Sequence, residues 1–323
     1  MNIKQFFTSE NLSAYGYLAG WRFIRMLPFP VSQAIFRFGA DMASKSGAGM
    51  GQLRANLARV VGPENVTRDL IKQATRSYAR YWLEAFRLPT IAQDPALIAE
   101  LKRGVVGLDL LDASLAQGKG VILTLPHSGN WDMAGAFLVS HHGQFTTVAE
   151  RVKPERLFEA FVEFRESLGF EVLPLSGGAE PPFARLKERL NAGGIVCLLG
   201  ERDLRHNGVE TEFFGETTSM PAGPAQLAIE TGAALHVVHS WFGGKQWGLS
   251  VSDAVPVDNL TETVQRIAHL FAANIAAHPT DWHMLQPLWF SDLDPARLKK
   301  VQKKRARRQA GESTPQPSSQ EDN

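Results

Sequence analysis

The sequence predicts an α/β fold with a central, mainly parallel or mixed β-sheet flanked by helices on both faces. Three observations predict it. Apolar runs of strand length recur from residue 121 onward, stretches of helical spacing separate them, and Gly or Pro punctuates most boundaries. With 44% apolar content over 323 residues, the chain can bury one large core. Residues 1–298 are expected to form a single domain, and 299–323 a basic, then polar, disordered tail.

Residues 12–43 are expected to form two short helices parted by Pro28 and Pro30, the first carrying Tyr15, Tyr17, Trp21 and Phe23, the second Val31, Ile35 and Phe38. Arg22, Arg25 and Arg37 interleave with these groups. That pattern suits a helix lying in a headgroup layer and equally one packed on its own domain. Gly47–Gly51 follows no strand and lacks a Lys-Ser/Thr pair, so it reads as a turn and not a phosphate loop. Leu70, Ile71, Tyr78, Tyr81, Trp82 and Phe86 recur at helical spacing, predicting a helix from about 68 to 88 that Pro89 ends. Strands at 121–125, 145–148, 171–175 and 195–199 then alternate with helices at 133–140, 158–168 and 182–191, the last with proline in its first turn. A loop to about 220, a helix over 221–231, β-rich runs at 234–242 and 247–255, and a helix over 261–277 complete the pattern.

A formal charge of +1 argues against a surface built for nucleic acid. Lys299, Lys300, Lys303, Lys304, Arg305, Arg307 and Arg308 form a local basic run without a nucleic-acid motif, so it reads either as a binder of anionic lipid or as a solvated helix end. A single cysteine, Cys197, excludes an internal disulfide framework, and its apolar setting reads as an inert strand thiol. The N-terminus lacks the pattern of a secretory signal, and no apolar run reaches the roughly 18 residues needed to span a bilayer.

The chemistry concentrates in Leu125-Pro-His-Ser-Gly-Asn-Trp-Asp132, where an apolar strand gives way to a helix. Strand carboxyl ends are where sites gather in such sheets. Asp132 can curl back to hold one ring N–H of His127, leaving the other nitrogen as a base near neutral pH, while Asn130 or Ser128 caps the helix. Leu199-Gly-Glu-Arg-Asp203 places Glu201, Arg202 and Asp203 on the same sheet edge. There Glu201 can brace the imidazole or bind a hydroxyl, and Arg202 can hold a phosphate. Glu150 and Arg151 follow another strand, and Arg165 adds a possible phosphate or carboxylate clamp. A serine hydrolase is disfavoured, because Ser128 does not sit in a Gly-x-Ser-x-Gly elbow. No His-Glu-x-x-His is present, and His236 and His239 point to opposite faces of a strand, so no metal is expected in the chemistry.

These residues carry a resemblance to the lysophospholipid and lipid A acyltransferase superfamily, whose mark is a His, four residues, then an acid. Within it, the chain resembles the phosphatidylinositol mannoside acyltransferases through Ser77-Tyr-Ala-Arg-Tyr-Trp82, Leu125–Gly135, Arg165–Pro174, Glu201–Leu204, Phe213–Glu216, Met220–Pro224 and Asp281–Pro287. The resemblance implies a glycerolipid-acyltransferase-like fold and transfer of palmitoyl from acyl-CoA to the 6-hydroxyl of the mannose on the inositol 2-position. It implies His127 and Glu201 as the catalytic pair, with Asp132 as the motif acid, at the cytoplasmic face of the plasma membrane and peripheral to it. Substrate contacts are expected from Arg165, Glu150, Arg202, Asp203 and Ser128. Acyl-CoA is then a co-substrate, and no resident cofactor is needed. Such chemistry also requires oxyanion donors, for which the backbone N–H groups of the 127–131 turn are placed. It requires an apolar channel between sheet and helices as well. A lipid or thioester hydrolase, a lipid A-type acyltransferase with another acceptor, and a silent lipid-binding protein are the competing readings.

Overall fold

A computed structural model describes residues 9–302, apart from 179, 205–207, 245, 297 and 300, and no side chains at 9–15 or 18. Of the basic run, only Lys299 falls among the described residues. The central sheet has the order β1-β9-β8-β2-β5-β3-β4. Its strands are β1 (Val105–Val106), β2 (Val121–Leu125), β3 (Phe145–Ala149), β4 (Glu171–Pro174), β5 (Ile195–Leu199), β8 (Ala234–Gly243) and β9 (Gln246–Ala254). All neighbours pair in parallel except β8 and β9. The short Gly-rich turn between those two allows only a hairpin, whereas the others are joined through helices.

Helices α3 (Gly51–Val61), α9 (Pro182–Asn191), α10 (Gly223–Thr231) and α11 (Leu260–Ala277) pack on one face of the sheet with Ile122, Val196, Leu235 and Val237. The other face carries α1 (Ser9–Met26), α5 (Pro95–Gly104), α6 (Leu108–Leu115), α7 (Trp131–His142) and α8 (Glu155–Ser167), against Leu123, Leu125, Val238 and Leu249. Alternation along β2 and β8 thus feeds two cores, as expected for strands covered on both sides. The long α4 (Arg68–Ile91) spans both, with Ile71 in one core and Tyr81, Ala85 and Leu88 in the other.

Two expectations need correction. Pro89 does not end α4, which runs to Ile91. A proline so close to the helix end removes a single intrahelical bond, and Ala92 N–H still donates to the Leu88 carbonyl at 2.8 Å beyond it. The stretch expected as a loop up to 220 contains an antiparallel hairpin, β6 (Val209–Phe213) and β7 (Glu216–Met220), turned at Phe214-Gly215, both with positive φ. Val209, Thr211 and Phe213 are buried while Glu210 and Glu212 face water, a period-two alternation that is itself the sequence mark of a half-buried strand. Arg59 of α3 fastens the hairpin, pairing with Glu216 at 2.7 Å and Asp292 at 2.8 Å over the ring of Trp289.

The N-terminal pair packs on its own domain through one face and leaves an apolar stripe in solvent on another. Trp21 of α1 packs on Phe86, Phe161 and Phe164, and its indole N–H donates to the Phe86 carbonyl at 3.0 Å. In α2 (Phe29–Ala43), Ser32 and Ala40 are buried. Val31, Ile35, Phe38 and Met42, at spacings of four and three residues, nevertheless face solvent, with Phe38 69% exposed. Phe23, Met26 and Phe29 extend this apolar stripe. Among the described residues no helix is long and apolar enough to cross a membrane.

Candidate active site

The register of the sheet creates the site. Leu125 of β2 pairs with Leu199 of β5, so the chain leaves both strands side by side and sets His127 against Glu201. Oε1 of Glu201 accepts from the His127 backbone N–H at 2.6 Å and lies 2.7 Å from its Nδ1. A carboxylate only accepts, so the ring proton sits on Nδ1 and the Nε2 lone pair is left free. Glu201 is 0% exposed, whereas the His127 side chain retains 28%. Burial pushes the Glu201 carboxyl up, but electrostatic attraction to His127 and the two hydrogen bonds from it outweigh this and hold it below the ordinary carboxylate value.

Asp132, expected to brace His127, does something else. Its carboxylate accepts from Arg165 Nε at 2.8 Å and from the Tyr81 hydroxyl at 2.8 Å. The reason is helical geometry: Asp132 lies in the first turn of α7 and is directed towards α4 and α8, away from the strand end. Burial disfavours the charge of Arg165, but Asp132 more than offsets this and holds the guanidinium above its ordinary value. Arg165 lines the cavity described below with its charge already matched, so it is not a free clamp.

Asn130, not Ser128, caps α7, its Oδ1 accepting from Met133 N–H at 3.0 Å. Ser128 is 1% exposed and lies outside the cavity lining, bridged to Trp282 with its carbonyl accepting from Ser240 Oγ at 2.6 Å. Alternation along the extended backbone turns it away from the side on which His127 opens. Gly129 permits this turn, with φ of +57° and a position where a Cβ would stand 2.5 Å from the Ser240 carbonyl oxygen. Within the turn the N–H groups of His127, Ser128 and Gly129 are engaged, by Glu201, by Pro126 at 2.8 Å and by Asp281 at 2.8 Å. Those of Asn130 and Trp131 have no partner among the described residues.

His127 opens onto a cavity of about 980 Å³, at the upper end for small-molecule clefts. Glu150, Arg202 and Asp203 mark its polar mouth, and Arg165 and the buried His283 also line it. Oδ2 of Asp203 accepts from Gly208 N–H and Ser219 Oγ, each at 2.7 Å. Arg202 has no ion pair among the described residues. The depth is apolar, between sheet and helices, walled by Leu108, Leu111, Phe137, Leu138, Leu249 and Val251. Cys197 is in this wall, and burial pushes its thiol well up.

Sequence reasoning assigned no role to the aromatic rim or to His283. Tyr81 stacks on Trp131 at 3.9 Å between ring centroids, and Trp131 meets the His127 ring edge-on at 5.4 Å. His283 N–H donates to the His127 carbonyl at 2.7 Å, and its buried ring lies 3.1 Å from Ser77 Oγ, which donates to Asp281 at 2.6 Å. Burial, with the neighbouring His127, lowers the His283 pKa to about 3. The quoted runs Ser77–Trp82 and Asp281–Pro287 contain these groups, but nothing in their spacing shows that they meet.

Residues 4–291 match the bacterial lipid A biosynthesis acyltransferase family. The chain is 55% identical over 286 residues to phosphatidylinositol mannoside acyltransferase of Mycolicibacterium smegmatis (strain ATCC 700084 / mc(2)155), covering 87% of this chain and 93% of that one. It is 54% identical over 287 residues to the protein of the same name from Mycobacterium tuberculosis (strain ATCC 25618 / H37Rv), covering 88% and 90%. A strand-end histidine over an apolar cleft and a match along nearly the whole sheet agree: the chain belongs to the bacterial lipid A biosynthesis acyltransferase family.

Proposed function

We propose that this acyltransferase moves a long-chain acyl group, palmitoyl in the first instance, from acyl-CoA to the 6-hydroxyl of the mannose on the inositol 2-position of phosphatidylinositol mannosides. The observation that carries it is the free Nε2 of His127, fixed by buried Glu201 at the junction of a polar mouth and an apolar cavity. The names of the two relatives supply the acceptor class, and a primary hydroxyl is the least hindered nucleophile on such a sugar. His127 takes the hydroxyl proton as the oxygen attacks the thioester carbonyl, and Glu201 stabilises the imidazolium. The free N–H group of Trp131, at the start of α7 and in the cavity lining, serves the oxyanion. Collapse of the tetrahedral intermediate releases the CoA thiolate with no covalent enzyme adduct. Each CH₂ of the acyl chain gains about 0.8 kcal/mol on entering the apolar depth. Arg202, Glu150 and Asp203 at the mouth contact polar parts of the two substrates, and Arg165 positions Asp132 beneath them.

The exposed stripe on α1 and α2, flanked by Arg22 and Arg37, seats the enzyme peripherally on an anionic membrane, at the cytoplasmic face where acyl-CoA is available. The test is purified protein with labelled palmitoyl-CoA and a phosphatidylinositol mono- or dimannoside, beside His127→Ala. Acylated lipid lost in the variant supports the reading. Free palmitate without acylated lipid would favour the hydrolase or another acceptor, and full transfer by the variant would refute the base.

A further inference from the structure

His127 lies just before the start of α7; the last two residues of that helix, His141 and His142, meet Asp112 of α6 about 18 Å away along the axis. Nε2 of His141 lies 3.3 Å, and Nε2 of His142 2.8 Å, from the same Oδ1 of Asp112. One ligand atom from each residue can be chosen so that all three lie within 4.8 Å of one another. Yet Nε2 of His142, buried and this close, makes no aligned hydrogen bond among the described residues. In a simple ion pair the ring N–H points at the oxygen. In a metal site the nitrogen lone pairs point instead at a common centre between the ligands. Two ligand atoms each 2.0–2.1 Å from a tetrahedral ion stand about 3.3 Å apart, the separation of His141 Nε2 from Asp112 Oδ1, whereas His142 Nε2 at 2.8 Å has to draw back by a few tenths of an ångström.

We propose that Asp112, His141 and His142 bind a first-row divalent transition ion of the Zn²⁺ type, with water completing the shell. Two imidazoles and one carboxylate suit Zn²⁺ or Co²⁺, whereas Ca²⁺ and Mg²⁺ demand oxygen ligands. Asp112 is 49% exposed, so an ion enters from solvent without opening the core. The ligands come from two helices, which is why no metal motif shows in the sequence. The role of the ion is structural, since it sits a helix length from His127. Leu108 and Leu111 of α6 and Phe137 and Leu138 of α7 wall the apolar cavity, and a bound ion fastens these two walls to each other.

The experiment uses tag-free full-length protein. Co²⁺ is titrated with visible spectroscopy, and thermal unfolding is followed with and without Zn²⁺. One Co²⁺ per chain with the intense absorption of a four-coordinate centre is expected, together with a Zn²⁺-dependent rise in Tm. His142→Ala should weaken binding at least tenfold and abolish the rise, while its metal-free melting curve reports whether it folds. Asp112→Asn, on a more exposed side chain, gives the same reading should the first variant fold poorly. Lack of saturable one-to-one Co²⁺ binding by the intact chain, or unchanged binding by folded variants, would overturn the site.

Discussion

Glu201 is buried with its charge intact, and His127 is its counterpart. Replacing it with Gln keeps the size and an amide oxygen that can accept both His127 N–H groups, but removes the negative charge that would stabilise an imidazolium at the proposed base. Transfer by Glu201→Gln should fall by about 10² to 10⁴ in kcat with little change in KM for acyl-CoA, the split expected when an interaction belongs to the transition state. Two other histidines, His239 and His283, are buried neutral, their pKa lowered from 6.5 to about 3 by burial and a histidine neighbour. The unfolded chain protonates them near 6.5 and the folded chain does not, so the unfolded state binds more protons between those values. Stability therefore falls as the pH drops from about 6.5 towards 3, by about 1.4 kcal/mol per pH unit for each. His239→Phe keeps the stack on Trp241 and His278 and should flatten that slope in urea unfolding followed against pH. An unchanged slope would assign the acid sensitivity elsewhere.

At the scale of elements, Asp132 joins α7 to α4 through Tyr81 and to α8 through Arg165. Asp132→Ala leaves a buried guanidinium unpaired and should cost about 3–5 kcal/mol, read by equilibrium unfolding, with activity lost through the fold. The His-to-acid spacing and the approach of Glu201 to His127 were legible in the sequence, yet the partners of Asp132 were not. Local sequence shows that a carboxylate follows the histidine by five positions. The parallel alternation put Glu201 on the same edge as His127, but nothing local shows that an arginine on a later helix claims Asp132. At Pro89 the packing of Leu88 overrides the local signal, whereas the hairpin carries its signal openly, in the period-two alternation of Val209–Phe213. The apolar strands, buried on both faces, were read correctly because their composition alone demands such burial.

For the molecule as a whole, the unpartnered stripe Val31, Ile35, Phe38 and Met42 defines one side that water solvates poorly. Burying a large apolar side chain is worth about 1.5–3 kcal/mol. Phe38→Asp and Met42→Asp should therefore each weaken sedimentation with anionic vesicles by one to two orders of magnitude, with unfolding midpoints little changed because both residues already face solvent. Sedimentation equal to that of the parent would place the docking surface elsewhere. The aromatic and arginine content of these helices was plain in the sequence; which of their two apolar faces stays uncovered required the packing of Trp21 and Ala40.

The loop carrying His127 is closed by hydrogen bonds from a segment more than 150 residues later in the chain, with Gly129 N–H donating to Asp281 and His283 N–H to His127. Contacts of such sequence separation form late, after most of the loop-closure entropy has been met. During synthesis the catalytic loop therefore lacks its final support until the last strand and helix have left the ribosome. A nascent or truncated chain ending before Asp281 lacks both of these hydrogen bonds and leaves the histidine loop unanchored, so the geometry around His127 is complete only when the polypeptide is nearly whole.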